Sequence, residues 1–484
     1  MFNFVFEPWM VVAILPEILL LVLALVILVC DLVLPDNYRR NQGWIVAVGL
    51  GLIALVGLIF SRSTINGELM WGGMLRNDWF AFSFRMVFIF AAGITALFSM
   101  DTPRIGKRGD YYVLFLVSTL GMSLMAMSAD LIMLYVAIET TSISLYILAG
   151  YLTHDDKSTE AGFKYLLFGA LTSTVMLYGL SLVYGFTGTT NIYALAELAS
   201  VNQLSLIPLI GSLLLILVGF GFKISAVPLH FWAPDVYEGS PTPIAGFLST
   251  ASKAAGFAVL VRVLLAAFPT VAPYWGAYLA ALATATMTLG NLLALAQKNI
   301  KRMLAYSSIA HAGYVLIGLV AISYLGVTSL VVYLIVYVVT NLAAFGAVTV
   351  VGRIIGSDEI ADYAGLSRRS PWLAFVLLIT LLSLSGMPPF GGFIVKFAVF
   401  AAAVQADMIW LAVVGILNSI IGLYYYLSVL KVIYLYRSED EDKPLEITRP
   451  YLLGLGVLSI GIVLLGIVFA PLFTVANRAA ASLF

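Results

Sequence analysis

The sequence is poor in charge, in cysteine and in histidine. Only 10% of its 484 residues are charged, whereas a soluble domain carries about 25%. The single cysteine, Cys30, allows neither an intrachain disulfide nor an iron–sulfur cluster held by cysteines. The three histidines, His154, His230 and His311, lack the spacing of zinc ligands. We therefore expect neither a soluble enzyme nor a metal site.

Neither sign of charge predominates. The chain has 25 Lys and Arg against 25 Asp and Glu, so we expect no nucleic acid partner. The nearest pattern to a dinucleotide-binding fingerprint, residues 49–54, lies inside an apolar run, where the strand–turn–helix unit that the motif needs is missing. We therefore expect no cofactor on this chain, and in particular neither NADH nor flavin.

Apolar residues are what the sequence has in abundance. They make up 62% of the chain, and the mean hydropathy is +1.04. A helix needs about 20 apolar residues to cross a bilayer, and the sequence predicts an all-α polytopic membrane protein with fourteen spans. The predicted spans are 10–33, 42–61, 79–100, 111–128, 131–152, 161–186, 206–237, 242–268, 274–296, 303–323, 326–352, 371–404, 408–436 and 450–475.

The basic residues between the spans predict the orientation, because cytoplasmic loops are enriched in Lys and Arg. With the N-terminus outside, the outer segments hold three basic residues, Arg62, Arg76 and Arg478. The inner loops then hold fifteen, namely Arg39, Arg40, Arg104, Lys107, Arg108, Lys157, Lys298, Lys301, Arg302, Arg353, Arg368, Arg369, Arg437, Lys443 and Arg449. We therefore expect both termini outside.

Spans seven and twelve are too long for one crossing, and both are interrupted. Pro228 breaks span seven and Pro388 and Pro389 break span twelve, since proline removes a backbone donor and clashes with the preceding turn. The freed backbone groups must meet protein or water, so we expect internal wet cavities there. Broken helices in matching positions are typical of inverted repeats, here spans four to eight and nine to thirteen. The predicted segments are 1–105, 106–270, 271–437 and 438–484.

Several charged residues lie inside predicted spans but close to an end. Lys164 lies about one turn inside span six, and Lys431 lies near the inner end of span thirteen, so both can extend to the membrane surface. Arg85 and Arg262 lie near the outer ends of spans three and eight. For these four residues a structural role is an open alternative to a functional one. Glu17 is an acid within span one.

The other buried charges lie deeper. Glu139 is the ninth residue of span five, Lys253 is the twelfth of span eight, and Lys223 and Lys396 flank the two helix breaks. Ionisable residues within the membrane usually mark an ion pathway. Desolvation disfavours the charged form of lysine and a nearby carboxylate restores it, so these groups suit proton transfer. His311, at the middle of span ten, is either a further relay group or a packed histidine.

Five stretches of the sequence resemble a known family. They are Val227–Pro241 (VPLHFWAPDVYEGSP), Lys298–Tyr314 (KNIKRMLAYSSIAHAGY), Ser383–Pro388 (SLSGMP), Gly392–Lys396 (GFIVK) and Leu15–Glu17 (LPE). With them the chain resembles, over nearly its whole length, the antiporter-like membrane subunits of respiratory complex I, NADH–quinone oxidoreductase. The His-Ala-Gly-Tyr sequence within the second stretch is similar to the chain N group, whose sister chains usually carry glutamine at the histidine.

This resemblance implies a fourteen-helix fold with two inverted five-helix repeats that translocates protons. It implies that Glu139 and Lys223 form a glutamate–lysine pair, that Lys253 is the central relay lysine, and that Lys396 lies towards the outer exit. Lys164 is similar to a further lysine of the family. Flavin and iron–sulfur clusters belong to other subunits in this family, and the implied partners are neighbouring membrane-arm chains and membrane lipid.

Two alternatives to a complex I subunit remain open from the residues. One is a subunit of a stand-alone cation/proton antiporter of related fold. The other is a scaffold that joins neighbouring chains and uses its buried charges as ion pairs between helices. For the main interpretation we expect an energy-transducing membrane, namely the inner membrane of a bacterium.

Overall fold

The structure is a computed structural model that describes residues 7–35, 37–63, 67–201, 206–440 and 443–484, without the side chains of 199–201. Most of the described chain is helical. The helices of the first half are α1 (Pro8–Ala13), α2 (Leu15–Val33), α3 (Asn41–Phe60), α4 (Trp79–Ser99), α5 (Gly109–Met127), α6 (Leu131–Ala149), α7 (Asp156–Thr187), α8 (Ile192–Val201), α9 (Leu206–Ile224), α10 (Trp232–Gly239), α11 (Thr242–Phe247) and α12 (Lys253–Ala267).

A π-helical turn, Leu248–Ser252, joins α11 to α12, so that Thr242–Ala267 is one continuous helical segment. The helices of the second half are α13 (Ala272–Leu295), α14 (Ile300–Val320), α15 (Tyr324–Ile355), α16 (Leu366–Arg369), α17 (Pro371–Ser385), α18 (Gly391–Gln405), α19 (Ile409–Leu435), α20 (Arg449–Ile467) and α21 (Ala470–Ala481). A hairpin of β1 (Glu68–Met70) and β2 (Leu75–Asn77) pairs Leu69 with Arg76 in antiparallel register.

Each of the fourteen predicted spans coincides with one or two helices of the described residues. Thirteen helices are long and apolar enough to cross a membrane, with α11 and α12 counted as one. The shorter helices α17 and α18 together form span twelve. The fold is therefore an all-α polytopic membrane protein with two inverted five-helix repeats, whose broken helices are α9–α10 and α17–α18.

Polar residues at the helix starts explain several boundaries. Asp78 accepts a hydrogen bond from Ala81 N at the start of α4, and Asp130 accepts one from Ile132 N at the start of α6. Asn299 does the same for Lys301 N at the start of α14. Side-chain oxygens in this position satisfy backbone donors that have no partner within the helix. In a membrane protein, these caps also fix where each span meets the surface.

The helices are buried to very different extents. In α11–α12 every residue of the apolar window is buried, and in α14 and α15 almost all are. In α2 and α3 only about a third or less is buried. A helix that is apolar all round and buried all round lies in the middle of a bundle. The helices that carry Lys253 and His311 are therefore the central ones.

Among the described elements, the β-hairpin, α8 and α16 lie outside the predicted spans, and α21 begins within predicted span fourteen and runs past its end. Each of these elements is too short to match a span. The predicted span fourteen ends earlier than expected, at Ile467, and α21 follows it. Asn477 on α21 accepts hydrogen bonds from Tyr324 and Thr328 of α15. This contact fixes the last helix against the bundle.

Protein groups satisfy much of the backbone that the helix breaks set free. In the first break, Trp232 Nε1 donates to Phe222 O at 3.1 Å, and Val227 N donates to Thr286 Oγ1 at 3.1 Å. In the second break, Gly392 N donates to Ser383 Oγ at 3.2 Å. These contacts meet the requirement that backbone polar groups at membrane depth find partners.

Candidate functional site

Three lysines are buried near the middle of their spans. The exposed fraction is only 5% for Lys223, 2% for Lys253 and 6% for Lys396. Throughout the ranges that the structure describes, none of the three forms an ion pair with a carboxylate, and Glu139 forms no ion pair with a basic residue. Buried charges normally have a charged partner, so these lysines require another explanation.

Glu139 is a half-buried residue of α6 whose side chain faces α7. Its carboxylate accepts a short hydrogen bond from the hydroxyl of Ser173 on α7. Ser173 Oγ also lies 3.4 Å from the hydroxyl of Tyr135, one turn before Glu139. The carboxylate is therefore held by a hydroxyl group, and the structure does not bring it into an ion pair with Lys223.

Lys223 lies in the last turn of α9, next to the first helix break. Within the described chain, its Nζ is buried and makes no hydrogen bond. Gly256 of α12 lies directly against it, since a Cβ atom built on Gly256 would be 3.2 Å from Lys223 Cβ. Lys253 is three residues before Gly256, and residues three apart share a helix face. Lys223 and Lys253 are therefore on facing sides of neighbouring helices.

Lys253 is held by oxygen atoms of a neighbouring helix. Its Nζ donates to Ser308 O at 2.9 Å and to Ser308 Oγ at 2.5 Å, both on α14. The hydroxyl of Tyr337 donates to the same Ser308 Oγ at 2.8 Å, and Asn341 Nδ2 donates to Tyr337 at 3.0 Å. A chain of hydroxyl groups thus begins at the Lys253 ammonium.

One face of α14 connects Lys253 with Lys396. Ser308, His311 and Tyr314 follow at intervals of three residues, which places them on the same face over about 9 Å of helix. Ser308 contacts Lys253, and the Tyr314 ring centroid lies 4.8 Å from Lys396 Nζ. We call Ser308, His311 and Tyr314 the α14 ladder. It places one titratable side chain between the two lysines.

His311 is the middle residue of the α14 ladder, and both of its ring nitrogens have hydroxyl partners. Nδ1 lies 2.8 Å from the hydroxyl of Tyr333, and Nε2 lies 3.3 Å from that of Tyr426. Tyr426 also shares a short hydrogen bond with Ser307. A neutral imidazole has one donor and one acceptor nitrogen, so hydroxyl groups that can donate or accept suit either tautomer.

The side chain of Lys396 extends across the second helix break to the end of α17. It lies on α18, and its Nζ donates to Ser385 O, the last carbonyl of α17, at 2.9 Å. The C-terminal end of a helix attracts a cation. Gly386, with φ of +90°, leaves room for the lysine stem, since a Cβ atom there would be 2.8 Å from Lys396 Cδ. The break therefore creates the oxygen that Lys396 contacts.

A small cavity of about 10 Å³ adjoins this second break. This is about the smallest volume that holds one water molecule. It is lined by His311, Tyr333, Val336, Tyr337, Thr340, Ser383, Leu384, Gly392 and Val395. His311 of the α14 ladder and Ser383 of the break thus line the same small cavity.

Lys164 lies apart from this line, in a cluster of charged residues. Its Nζ lies 2.6 Å from Asp235 of α10 and 2.6 Å from Glu160 of its own helix. Arg302 of α14 contacts both Asp235, at 2.6 Å, and Glu238, at 3.1 Å. The cluster ties α7, α10 and α14 together at the end of the bundle where α14 begins. Lys164 is therefore paired, unlike the three deeper lysines.

The buried arginines are paired as well. Arg262 of α12 forms a bidentate pair with Asp78, with distances of 2.7 and 2.8 Å, and Arg85 Nε lies 2.8 Å from Glu17 Oε1. Lys431 is exposed on the surface of α19, with its Nζ 5.5 Å from the Tyr436 ring centroid. These contacts are those of residues that join helices or extend along the surface.

Sequence reasoning did not single out several of these partners. Asp78, Tyr333 and Tyr337 lie in none of the five family-like stretches, and Ser308 lies in the stretch Lys298–Tyr314 but carries no charge that would mark it. Tyr426 lies in a tyrosine run that is typical of a membrane-interface belt or of helix packing. Tyr424 is exposed, whereas Tyr426 is buried. Ser308, His311 and Tyr314 all lie in the stretch Lys298–Tyr314, and their three-residue spacing predicts that they share one helix face.

The fold and the line of unpaired lysines define a class of protein, the antiporter-like membrane proteins with two inverted repeats. Residues 128–422 match the family described as NADH:quinone oxidoreductase/Mrp antiporter, TM. The chain is 44% identical over 470 residues to NADH-quinone oxidoreductase subunit N of Moorella thermoacetica, which covers 97% of this chain and 98% of the relative.

Two solved structures are similar along almost the whole chain. A chain of respiratory complex I from Thermus thermophilus with bound aureothin matches with a TM-score of 0.80 at 32% identity, covering 95% of this chain and 98% of that one. A chain of the archaeal membrane-bound sulfane sulfur reductase matches with a TM-score of 0.87 at 26% identity, covering 98% of each. The chain belongs to the NADH:quinone oxidoreductase/Mrp antiporter family, among the relatives named subunit N.

Proposed function

We propose that this chain is a proton-translocating membrane subunit of NADH–quinone oxidoreductase, in which electron transfer elsewhere in the complex drives proton movement through the residues described above. The observation that carries this proposal is the set of buried lysines whose contacts are oxygen atoms of hydroxyl and carbonyl groups rather than carboxylates. A lysine in such surroundings can lose its proton without leaving a carboxylate unpaired.

The proposed route uses the residues in a fixed order. Glu139 and Lys223 form the input pair, and movement of the Glu139 carboxylate between Ser173 and Lys223 changes how strongly Lys223 holds its proton. The proton then passes to Lys253, along the α14 ladder through His311, and to Lys396. Lys164 is an auxiliary residue in this scheme, since it belongs to the charged cluster. The segments 106–270 and 271–437 are the two repeats that contribute the two halves of the route.

The scaffold alternative accounts less well for these contacts. A residue that serves only to join helices should be paired with an opposite charge, as Arg262 is with Asp78. Lys253 and Lys396 lack such a partner among the described residues. The stand-alone antiporter alternative predicts the same contacts, so it is distinguished by its partners. Purification from native membranes together with subunits that hold flavin and iron–sulfur clusters favours complex I, and their absence favours the antiporter.

The experiment for the relay is the substitution Lys253→Arg, with Lys253→Met as the uncharged comparison. Arginine keeps the positive charge but does not release its proton. We expect both variants to assemble and both to lose most proton pumping, because each lacks a group that can alternately hold and release a proton. The measurement is proton uptake by vesicles, with subunit content measured on the same membranes.

A normal rate of pumping in Lys253→Arg, with loss in Lys253→Met alone, would show that charge rather than proton release matters at this position. The relay role of Lys253 would then be abandoned in favour of a structural one. The matched control is Lys431→Arg, because Lys431 is exposed on α19 and takes no part in the proposed route. This control should pump normally.

The proposed setting is an energy-transducing membrane, the inner membrane of a bacterium, with both termini outside. The basic-residue bias of the loops supports this orientation. Flavin and iron–sulfur clusters are placed on partner subunits, and the direct partners are neighbouring membrane-arm chains. A reporter fused after Phe484 should be active only on the outer side. Activity on the inner side would contradict the orientation and would reverse the direction of the route.

A further inference from the structure

A second feature of the molecule lies outside the proposed proton route. It is a cavity of about 810 Å³ bounded by the start of α3, the loop from α4 to α5 and the loop from α6 to α7. We call it the basic cavity. Its walls are helix ends and the loops that join them, so the cavity lies at the level where the spans meet the membrane surface. It is large enough to take a small organic ligand or a headgroup.

Basic residues outnumber acidic residues around the basic cavity. Arg40 pairs with Asp101 at 2.7 Å, and Arg108 pairs with Asp110 at 3.2 Å. Two further cations line the same cavity, Arg104 and Lys107. Among the residues that the structure describes, neither of these two has a hydrogen-bond or ion-pair partner, and both are exposed. The cavity therefore has an excess of positive charge that suits an anion.

The loop that carries these two cations has an unusual backbone. Arg104 has a φ of +69°, a left-handed conformation that is unfavourable for residues other than glycine. The turn that follows is tight, since a Cβ atom on Gly106 would lie 2.1 Å from Met100 O. Such conformations concentrate at ligand clamps. Here the conformation places Arg104 and Lys107 at the same cavity.

The wall of the basic cavity continues as an apolar surface. Ile147, at the end of α6, lines the cavity and is 49% exposed. Ile143, one turn further into the membrane on the same face, is 54% exposed. A ligand that fits this combination has an anionic group at the surface and an apolar chain that runs along α6. That is the shape and chemistry of an anionic phospholipid.

We propose that the basic cavity binds the headgroup phosphate of an anionic phospholipid, held by Arg104 and Lys107, with an acyl chain against Ile147 and Ile143. Basic pockets between transmembrane helices are suited to such headgroups. The lipid fills the space between α4, α5 and α6 at the surface and so braces the N-terminal helices against the first repeat. This inference does not depend on the proton route.

The test uses the whole complex in detergent, with photoactivatable phosphatidylglycerol as the probe. Photoactivatable phosphatidylcholine, whose zwitterionic headgroup has no net charge, is the comparison and should label the loop more weakly. We expect phosphatidylglycerol to label peptides of the α4–α5 loop and of α6. The double variant Arg104→Ala/Lys107→Ala should bind it roughly 30-fold more weakly, because each cation near a membrane surface strengthens anionic lipid binding about fivefold. The control is Arg437→Ala/Lys443→Ala, which removes two exposed basic residues outside the cavity and should bind normally.

Three outcomes would overturn the proposal. Equal loss of labelling in the control variant would mean that general surface charge attracts the lipid. Displacement of the probe by inorganic phosphate would mean that the cavity is a site for a free phosphate-type anion. Absence of labelling at the loop in the intact wild-type complex, with crosslinks from Lys107 to another subunit, would mean that a protein partner covers the cavity.

Discussion

The buried arginines and the buried lysines of this protein differ in their partners. Arg262 and Arg85 are fully buried, and each contacts a carboxylate, Asp78 and Glu17 respectively. Lys253 and Lys396 are buried to a similar extent, but their Nζ atoms contact oxygens of Ser308 and Ser385. Arginine keeps its charge in proteins, whereas lysine can lose it when desolvated. These two arginines, which keep their charge, are therefore paired with carboxylates, whereas these two lysines, which can become neutral, are not.

The position of the two groups matches this difference. Asp78 begins α4 beside the β-hairpin, and Arg262 lies near the end of α12, so their pair joins helices at that side of the bundle. The hydroxyl of Tyr193 accepts a further hydrogen bond from Arg262 Nη1 at 2.5 Å. Because Tyr193 is on α8, this contact also connects α8 to α12. The lysines lie along the middle of the bundle. The same fold thus separates residues that join helices from those proposed to carry protons.

The largest expected effect comes from breaking an arginine pair. Arg262→Met leaves Asp78 buried without its main partner, at a cost of about 3–5 kcal/mol in stability. We expect the subunit to be lost from the assembled complex, as measured by its content in purified membranes. The double variant Arg262→Met/Asp78→Asn removes both charges and keeps a residue that caps α4, so it should recover much of the loss.

Normal assembly of Arg262→Met would contradict the structural role of this pair. A double variant that is worse than the single one would also contradict it, since removal of the second charge should then relieve nothing. Arg262→Lys is the intermediate control, because lysine keeps the charge but lacks the two-pronged geometry that contacts both oxygens of Asp78. The subunit content of Arg262→Lys membranes should be intermediate between that of wild type and that of Arg262→Met.

A smaller effect is expected from the oxygen partner of a lysine. Ser308→Ala removes the hydroxyl that contacts Lys253 and Tyr337 but leaves the Ser308 carbonyl. Hydrogen bonds to charged groups contribute about 1.5–3 kcal/mol, and about 1.4 kcal/mol is tenfold in rate, so we expect pumping to fall at least about tenfold while assembly stays normal. Proton uptake by vesicles measures the first and subunit content the second. Loss of assembly with pumping per complex unchanged would instead favour a structural role for the hydroxyl.

The smallest effect concerns Glu139 and Lys223, which the proposal treats as a pair. Because Glu139 contacts Ser173 and the two charges form no ion pair in this structure, we expect a coupling of about 0.5–1 kcal/mol, at the low end of the range for interacting residues. The measurement is a double-mutant cycle on pumping with Glu139→Gln and Lys223→Ala. Strictly additive defects would mean that the two side chains never act together.

Much of the fold was predictable because it depends on local properties of the sequence. Apolar runs of about 20 residues define spans, and the prolines at 228, 388 and 389 predict the two breaks that separate α9 from α10 and α17 from α18. The elements that were not predicted, such as α21, are short and partly polar. Their helicity depends on contacts with the rest of the bundle, such as those of Asn477 with α15.

The candidate site was predictable in its charged residues but not in their surroundings. A charge within an apolar run is visible without any structure, which is why Lys223, Lys253 and Lys396 stood out. Their polar partners are ordinary serines and tyrosines, of which the chain has many. Whether such a residue lies on the surface or in the bundle depends on its helix face, as the exposed Tyr424 and the buried Tyr426 illustrate.

The sequence by itself determined the class of protein, the number of spans, the positions of the helix breaks and the depth of each charge, because hydrophobicity and proline act over a few neighbouring residues. Only the tertiary structure decided which charges are paired. Arg262 contacts Asp78, which lies 184 positions away in the sequence, and Lys253 contacts Ser308, which lies 55 positions away. Contacts over such separations depend on how the helices pack and rotate against one another, which no local pattern specifies.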